Sequence, residues 1–167
     1  MMTSSVISTL SSPPRKLVRL AWAMLAVSAV GFLDATYLTV QHYLKGIPPC
    51  TINGCEVVLT SGYATVYGIP IALAGSAYYL TLLLGGIYFL DSRSVRVFRW
   101  FALCTVMGLA VSFVLVGLQL FVIKALCLYC MISAVTSTTL FILGMAVLNS
   151  SRYGARPLPK VPPADLR

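Results

Sequence analysis

An apolar run from Trp100 to Leu148 constrains this chain more than any other feature of its sequence. Lys124 is the one charged residue among these 49 residues. A helix needs about 20 apolar residues to cross a bilayer core of about 30 Å, so the run is too long for one crossing. It predicts two helices, which have about equal lengths if the chain reverses within residues 121–126, beside Lys124.

Two further apolar segments, at about residues 17–40 and 69–90, are each long enough for one crossing. The second opens with Pro70, which a helix tolerates in its first turn. Hydrophobic residues make up 59% of the chain and charged residues 10%, whereas a soluble domain is roughly half apolar and a quarter charged. Because lipid must cover the surplus apolar surface, we predict an all-α membrane protein with a four-helix transmembrane bundle at residues 17–149.

The basic residues are distributed unevenly about these four spans. Lys45 and Lys124 fall on one side of the membrane. The other side receives Arg15, Lys16, Arg19, Arg93, Arg96, Arg99, Arg152, Arg156, Lys160 and Arg167. Since cytoplasmic loops are enriched in Lys and Arg, both tails, a disordered one at 1–16 and one at 150–167, are expected in the cytoplasm. The net charge of +8 therefore indicates topology in a lipid bilayer and not a nucleic-acid partner.

Four of the five cysteines are predicted to meet on the opposite, extracytoplasmic face. Cys50 and Cys55 lie in segment 45–68, where a Pro-Pro pair and an Asn-Gly pair prevent one continuous helix. The apolar second half of this segment is expected to lie flat on the bundle as a short amphipathic lid. Cys127 and Cys130 form a C-x-x-C motif in the first turns of the fourth span, on the same side.

The C-x-x-C spacing is typical of redox motifs, and a helix N-terminus favours the thiolate that attacks a disulfide. Closely spaced cysteines outside the cytoplasm can cycle between dithiol and disulfide. One pair on a loop and one at the mouth of a bundle favour an electron relay whose acceptor, a quinone, dissolves in lipid. Two static disulfides and a four-cysteine zinc site remain alternatives, the latter disfavoured because no His stands beside either pair. Cys104, without a partner in the third span, is predicted to be a small core residue.

Three stretches of the sequence occur together: the loop pair, VLTSGYATVYGIPIALAGSAYYL at residues 58–80, and CLYC at residues 127–130. Together they resemble the vitamin K epoxide reductase family in its bacterial, quinone-linked form. The resemblance extends over about residues 20–148. It implies a four-helix bundle around a quinone, in the plasma (inner) membrane of a bacterial-type cell.

The resemblance also implies a role for each cysteine. Cys50 would meet a separate thioredoxin-fold (DsbA-like) partner, and Cys55 would form a transient bridge with Cys127. Cys130 would face the quinone as the reducing thiolate. The chain would then be a thiol:quinone oxidoreductase that reoxidises its partner and drives disulfide formation. A membrane quinone of the ubiquinone, menaquinone or phylloquinone type would be its electron-accepting substrate, with no metal.

Two departures from the family pattern concern the choice of substrate. Mammalian epoxide reductases have a tyrosine four residues after the second C-x-x-C cysteine, where this chain has Ala134. They also have an asparagine just before the second span, which the stretch GIPIALAG lacks. The resemblance therefore favours quinone reduction, and a vitamin K epoxide reductase proper remains the alternative.

Several side chains are predicted to bind or position the quinone. Ser61 matches a serine or threonine of the family's loop and would help to position the lid. Leu59, Ala134 and Tyr129 complete the predicted set. Tyrosines able to donate to a quinone carbonyl are Tyr37, Tyr63, Tyr67, Tyr78 and Tyr129, although tyrosines of such chains commonly serve as interfacial or packing residues.

Asp34 and His42, at the outer end of the first span, form a predicted proton path for quinol formation. An ionisable residue within a membrane span commonly has a functional role. Contacts with the membrane interface, or capping of the loop, are the alternative roles of these two residues.

Overall fold

The structure, a computed structural model, describes residues 15–50, 54–92 and 94–153. It contains four long helices and a short one, which we number in chain order. The long helices are α1 (Arg15–Tyr43), α3 (Ile71–Ser92), α4 (Val95–Gly117) and α5 (Leu128–Tyr153), and the short one is α2 (Cys55–Leu59). Among the described residues, four helices are long and apolar enough to cross a bilayer. The predicted all-α membrane bundle is confirmed.

The ends of the helices differ slightly from the predicted spans. Helix α1 already begins at Arg15 and α5 runs on to Tyr153, so both enter the predicted tails. The remainder of those tails, residues 1–14 and 154–167, lies outside the described residues.

The described residues between α1 and α3 fold into a lid of short elements on one end of the bundle. Helix α2 is followed by a 3-10 turn at Gly62–Ala64 and by two antiparallel strands, β1 (Thr65–Val66) and β2 (Ile69–Pro70). Tyr67 and Gly68 join the strands with φ angles of 51° and 79°. Positive φ at both central residues is typical of the tightest hairpin turns, and glycine adopts it without strain.

Close helix packing depends on small residues opposite aromatic rings. A Cβ atom at Gly31 of α1 would overlap the ring of Tyr79, and one at Gly85 of α3 would overlap the ring of Phe101. The rings of Phe89 and Phe98 stack with centroids 4.1 Å apart, joining α3 to the start of α4. Small residues allow helices to approach closely in lipid, where packing replaces the hydrophobic effect.

Helix α4 ends in a π-helical turn at Leu118–Ile123, and the chain reverses at Lys124, which has a left-handed φ of 55°. The backbone N–H groups of Lys124 and Ala125 both donate to the carbonyl of Gln119. These bonds satisfy the end of the helix in the manner of a helix C-cap. The reversal falls within residues 121–126, where it was expected if the two helices have about equal lengths.

The prediction that Cys104 is a core residue is wrong. Its side chain is exposed on the outer face of α4. The buried residues of this helix are Phe98, Ala102, Thr105 and Gly108. Their spacing of three and four residues defines one helical face, and Cys104 lies on another.

Candidate functional site

The two cysteine pairs meet at the lid end of the bundle. Cys50 and Cys55 are joined by a disulfide, with their Cα atoms 6.2 Å apart, while Cys127 and Cys130 are free thiols. Cys55 and Cys127 are fully buried and belong to one cluster with Val58. In the described part of the chain, no group of three or more His, Cys, Asp or Glu side chains is arranged to hold a metal ion.

Gly54 explains how the lid approaches the C-x-x-C segment so closely. A Cβ atom at this position would overlap the backbone carbonyl of Leu126, the residue before Cys127. Only a residue without a side chain permits this contact between two backbones. Gly54 therefore brings Cys55, at the start of α2, beside Cys127.

Gln119 is a site residue that the sequence interpretation missed. It is 2% exposed, and its Oε1 accepts a hydrogen bond of 2.9 Å from the backbone N–H of Cys127. The first signal for it is an isolated amide within an apolar run, because a buried polar group in lipid requires a partner. Gln119 also lies in the π-helical turn, and such turns occur frequently at functional sites.

The pKa of the Cys127 thiol is lowered, which favours the ionised form. A hydrogen bond from the Cys130 side chain lowers the pKa of Cys127 from an ordinary 9.0 to about 7, despite the opposing effect of burial. Backbone N–H groups of Tyr129 and Cys130 act in the same direction. In this dithiol state the thiolate is therefore favoured at Cys127, whereas the family resemblance assigns the reducing thiolate to Cys130.

A cavity of about 750 Å³ runs from the lid into the bundle, and Cys130 forms part of its wall. Leu59, Ser61 and Ala134, all predicted as quinone-binding or positioning residues, line it as well. The Ser61 hydroxyl donates to the carbonyl of Val58 at 2.7 Å, so it tethers the end of α2. Both partners of this bond lie within the lid.

Tyr129 is placed differently from this set. It is absent from the residues that line the cavity. Its hydroxyl donates to the carbonyl of Pro49 at 2.9 Å, and its ring packs on Tyr37 with centroids 5.6 Å apart. Tyr129 thus contacts the segment leading to Cys50.

Asp34 and His42 both line the cavity, but they lie in different parts of it. Eight residues separate them on α1, which corresponds to about 12 Å along a helix axis. The Oδ2 atom of Asp34 is buried without a hydrogen-bond partner, while His42 is exposed near the lid. The structure brings both residues to one cavity without direct contact between them.

Hydroxyl groups form part of the polar wall of the cavity. The hydroxyl of Tyr79 lies 2.8 to 3.0 Å from Oγ of Ser133, Oγ1 of Thr136 and Oγ of Ser137. The neighbouring hydroxyl of Tyr78 is buried and has no hydrogen-bond partner. Tyr78, Tyr79, Ser133 and Ser137 all line the cavity.

Comparison with known proteins supports the family resemblance. The model of the vitamin K epoxide reductase family matches residues 22–145. A thiol-disulfide oxidoreductase of Arabidopsis thaliana, LTO1, is 34% identical over 122 residues, which cover 68% of this chain and 32% of that protein. The chain thus spans about a third of the length of this relative. With the match extending from the first span to the last, this multi-pass membrane protein belongs to the vitamin K epoxide reductase family.

Proposed function

We propose that this protein is a membrane thiol:quinone oxidoreductase. It takes two electrons from the dithiol of a thioredoxin-fold partner and passes them through two cysteine pairs to a membrane quinone. The single observation that carries the proposal is the arrangement of three sulfurs. Cys55 and Cys127 share one buried cluster, and Cys130 of the same C-x-x-C motif lines the cavity. The family membership and the relative's name support this class of reaction.

The first exchange takes place at the loop pair. A partner thiolate attacks the sulfur of Cys50, forms a mixed disulfide and releases Cys55 as a thiolate. The second partner thiol then attacks this mixed disulfide, leaving the partner oxidised and the loop pair reduced. Cys50 suits this role because it is partly exposed, whereas Cys55 is 1% exposed.

The second exchange moves the electrons into the bundle. The Cys55 thiolate attacks Cys127 in a Cys127–Cys130 disulfide, and Cys130 leaves as a thiolate. Cys50 then attacks Cys55, which restores the loop disulfide and releases Cys127. The lowered pKa of Cys127 favours this step because a thiol of low pKa is the better leaving group.

The cavity fits a quinone as the electron acceptor. Its volume of about 750 Å³ is within the range of small-molecule sites, and its wall is largely apolar with a few polar groups. The unpartnered hydroxyl of Tyr78 is a donor suited to a carbonyl oxygen. A bound quinone would supply the capacity to accept two electrons and two protons. Cys130 lies on the cavity wall, so it is the cysteine placed to reduce the quinone.

The thiols themselves balance the protons of this reaction. The two S–H groups of Cys127 and Cys130 carry two protons and two electrons, which together convert a quinone to a quinol. Asp34 lines the same cavity and has a free carboxylate oxygen, so we assign it the transfer of a proton between the thiols and the acceptor. His42, nearer the lid, exchanges protons with the outside.

The proposed orientation follows from the charges. Both termini face the cytoplasm, and the lid with its cysteines faces the extracytoplasmic side of a plasma (inner) membrane, where disulfides persist. The end of the bundle opposite the lid, which carries most of the basic residues, then lies on the cytoplasmic side.

A turnover assay tests the proposal. The protein in lipid nanodiscs is given dithiothreitol as the dithiol and menadione as the quinone, and quinol formation is followed by absorbance. Cys130→Ser is expected to lower the rate at least about hundredfold, since removal of a reacting group costs several kcal/mol. Cys104→Ser, at an exposed cysteine outside the site, is the matched control and keeps the wild-type rate. Menadione reduction above the rate of a protein-free sample that survives Cys130→Ser would refute the relay.

A further inference from the structure

The C-x-x-C segment contacts the residue that precedes each cysteine of the loop pair. Tyr129, between the two cysteines of the motif, donates its hydroxyl to the carbonyl of Pro49, the residue before Cys50. Leu126, just before the motif, contacts Gly54, the residue before Cys55. One short segment therefore fixes the position of both loop sulfurs relative to Cys127.

The contact of Tyr129 is supported from a second helix. Its ring packs against that of Tyr37 on α1, and the hydroxyl of Tyr37 accepts a hydrogen bond of 3.1 Å from Nε2 of Gln41. Pro48, next to the accepting residue, is fully buried. The donor is thus held by ring packing, and the exposed acceptor Pro49 follows a buried residue, which reduces the entropy lost when the bond forms.

This bond bears on one chemical step of the relay. When Cys55 is linked to Cys127, the S–S bond to Cys50 is gone, and only the backbone, at a sequence separation of 5, still joins Cys50 to Cys55. Completion of the exchange requires the Cys50 thiol to lose its proton and attack Cys55, so that the bond between Cys55 and Cys127 breaks and Cys127 leaves as a thiolate. The rate and the equilibrium of that attack depend on how closely Cys50 is held.

We propose that Tyr129 is a positioning residue that keeps Cys50 within reach of Cys55 through the hydrogen bond to Pro49. The effect of Tyr129 on turnover rests on the proposed function, whereas its contact with Pro49 does not. The contact itself is a property of the lid and the C-x-x-C segment. Tyr129 acts on the exchange between the two pairs and not on the quinone, in agreement with its place outside the cavity wall.

The test uses a protein in which Cys55 must choose between two partners. In a Cys130→Ser background, Cys55 forms a disulfide either with Cys50 or with Cys127, and the ratio of these isomers needs neither quinone nor turnover. The purified protein is equilibrated in a glutathione buffer, quenched with N-ethylmaleimide, and digested for mass spectrometry of the linked peptides. Tyr129→Phe is expected to shift the ratio toward the bond between Cys55 and Cys127 by about two- to tenfold, the effect of losing one ordinary hydrogen bond.

Tyr67→Phe, which removes a hydroxyl from the fully exposed tip of the lid hairpin, is the matched control and leaves the ratio unchanged. An unchanged ratio in Tyr129→Phe overturns the proposal. So does a shift in Tyr129→Leu without one in Tyr129→Phe, because the ring and not the hydroxyl would then hold the segment. Absence of menadione reduction by the wild-type protein would refute the proposed function while leaving this ratio readable.

Discussion

The side-chain carbonyl of Gln119 accepts the backbone N–H of Cys127 across the reversal between α4 and α5. The backbone carbonyl of the same residue accepts the N–H of Ala125 at 3.2 Å. Gln119 therefore holds both the turn and the residue from which α5 begins. This one buried amide thus connects the reversal to the start of the C-x-x-C motif.

Replacement of Gln119 by leucine is expected to destabilise the protein by about 1–3 kcal/mol. The change leaves the N–H of Cys127 buried without an acceptor, and that is the usual cost of an unsatisfied buried group. The free energy of unfolding is measured by denaturant titration in detergent micelles. Asn149→Leu, at an exposed amide near the end of α5, serves as the control and should change stability by less than about 0.5 kcal/mol. Equal effects of the two changes would contradict the role of Gln119.

Replacement of Gly54 by alanine is expected to separate the lid from the C-x-x-C segment. The new Cβ meets the backbone of Leu126, which cannot move aside as a side chain can, so the cost is about 1–3 kcal/mol. Formation of the disulfide between Cys55 and Cys127, measured by peptide mapping, should fall accordingly. Gly62→Ala is the matched control because a Cβ atom there meets nothing within 4 Å. A mixed disulfide that forms equally well in both variants would count against this packing.

The pH dependence of Cys127 alkylation should reveal the hydrogen bond between the Cys127 and Cys130 side chains. The pKa of about 7 makes half of the Cys127 thiols ionised near pH 7, and the thiolate fraction rises with pH. Cys130→Ala removes the donor, which raises this pKa toward the ordinary 9.0 and moves the midpoint to higher pH. At pH 7 alkylation of Cys127 by iodoacetamide should slow by up to about fiftyfold, the ratio of the two thiolate fractions.

Alkylation is followed in a background that carries Cys50→Ser, Cys55→Ser and Cys104→Ser, so that neither the exposed thiol nor exchange with the loop disulfide contributes. The same midpoint with and without the Cys130 side chain would show that burial and the backbone alone set the pKa of Cys127.

Replacement of Tyr79 by phenylalanine keeps the ring that packs on Gly31 and removes the hydroxyl shared by Ser133, Thr136 and Ser137. Hydrogen bonds between transmembrane helices contribute about 0.6 kcal/mol on average, and several meet here, so we expect a loss of about 1 kcal/mol. Thermal unfolding in detergent measures it. Tyr88→Phe, on the exposed face of α3, is the control. A loss confined to Tyr88→Phe, or absent from both, would show that this cluster does not stabilise the bundle.

Much of the fold was predictable because membrane spans follow from composition. The apolar run over residues 100–148 is too long for one crossing, so a reversal was expected near its one charged residue. Lys124 lies at the observed turn. The lid was predicted as a short amphipathic segment that lies flat on the bundle, but its individual elements were not. Its helix at Cys55–Leu59 and its hairpin are too short for periodicity to reveal, since five residues do not define a helical face.

The parts of the site that depend on residue spacing along the chain were predictable, and the parts that depend on contacts between distant residues were not. Ser61 was expected from the family resemblance and Asp34 as an ionisable residue within a span, and both line the cavity. Tyr129 was expected beside the quinone because it lies within the motif, yet the rotation of α5 directs its hydroxyl to Pro49. Cys104 was expected in the core, and the helical face chosen by packing left it outside.

The sequence by itself determined that this chain spans a membrane four times and carries two cysteine pairs at one end, because hydrophobic length and residue spacing are local properties. The family resemblance implied a bridge between Cys55 and Cys127 and a quinone beside Cys130. The tertiary structure decided that Cys55 lies with Cys127 in one buried cluster, that Gln119 supports the start of α5, and that Cys130 lines the cavity. These relationships join residues distant along the chain, and they arise from how closely packed helices rotate and approach one another, which no local pattern specifies.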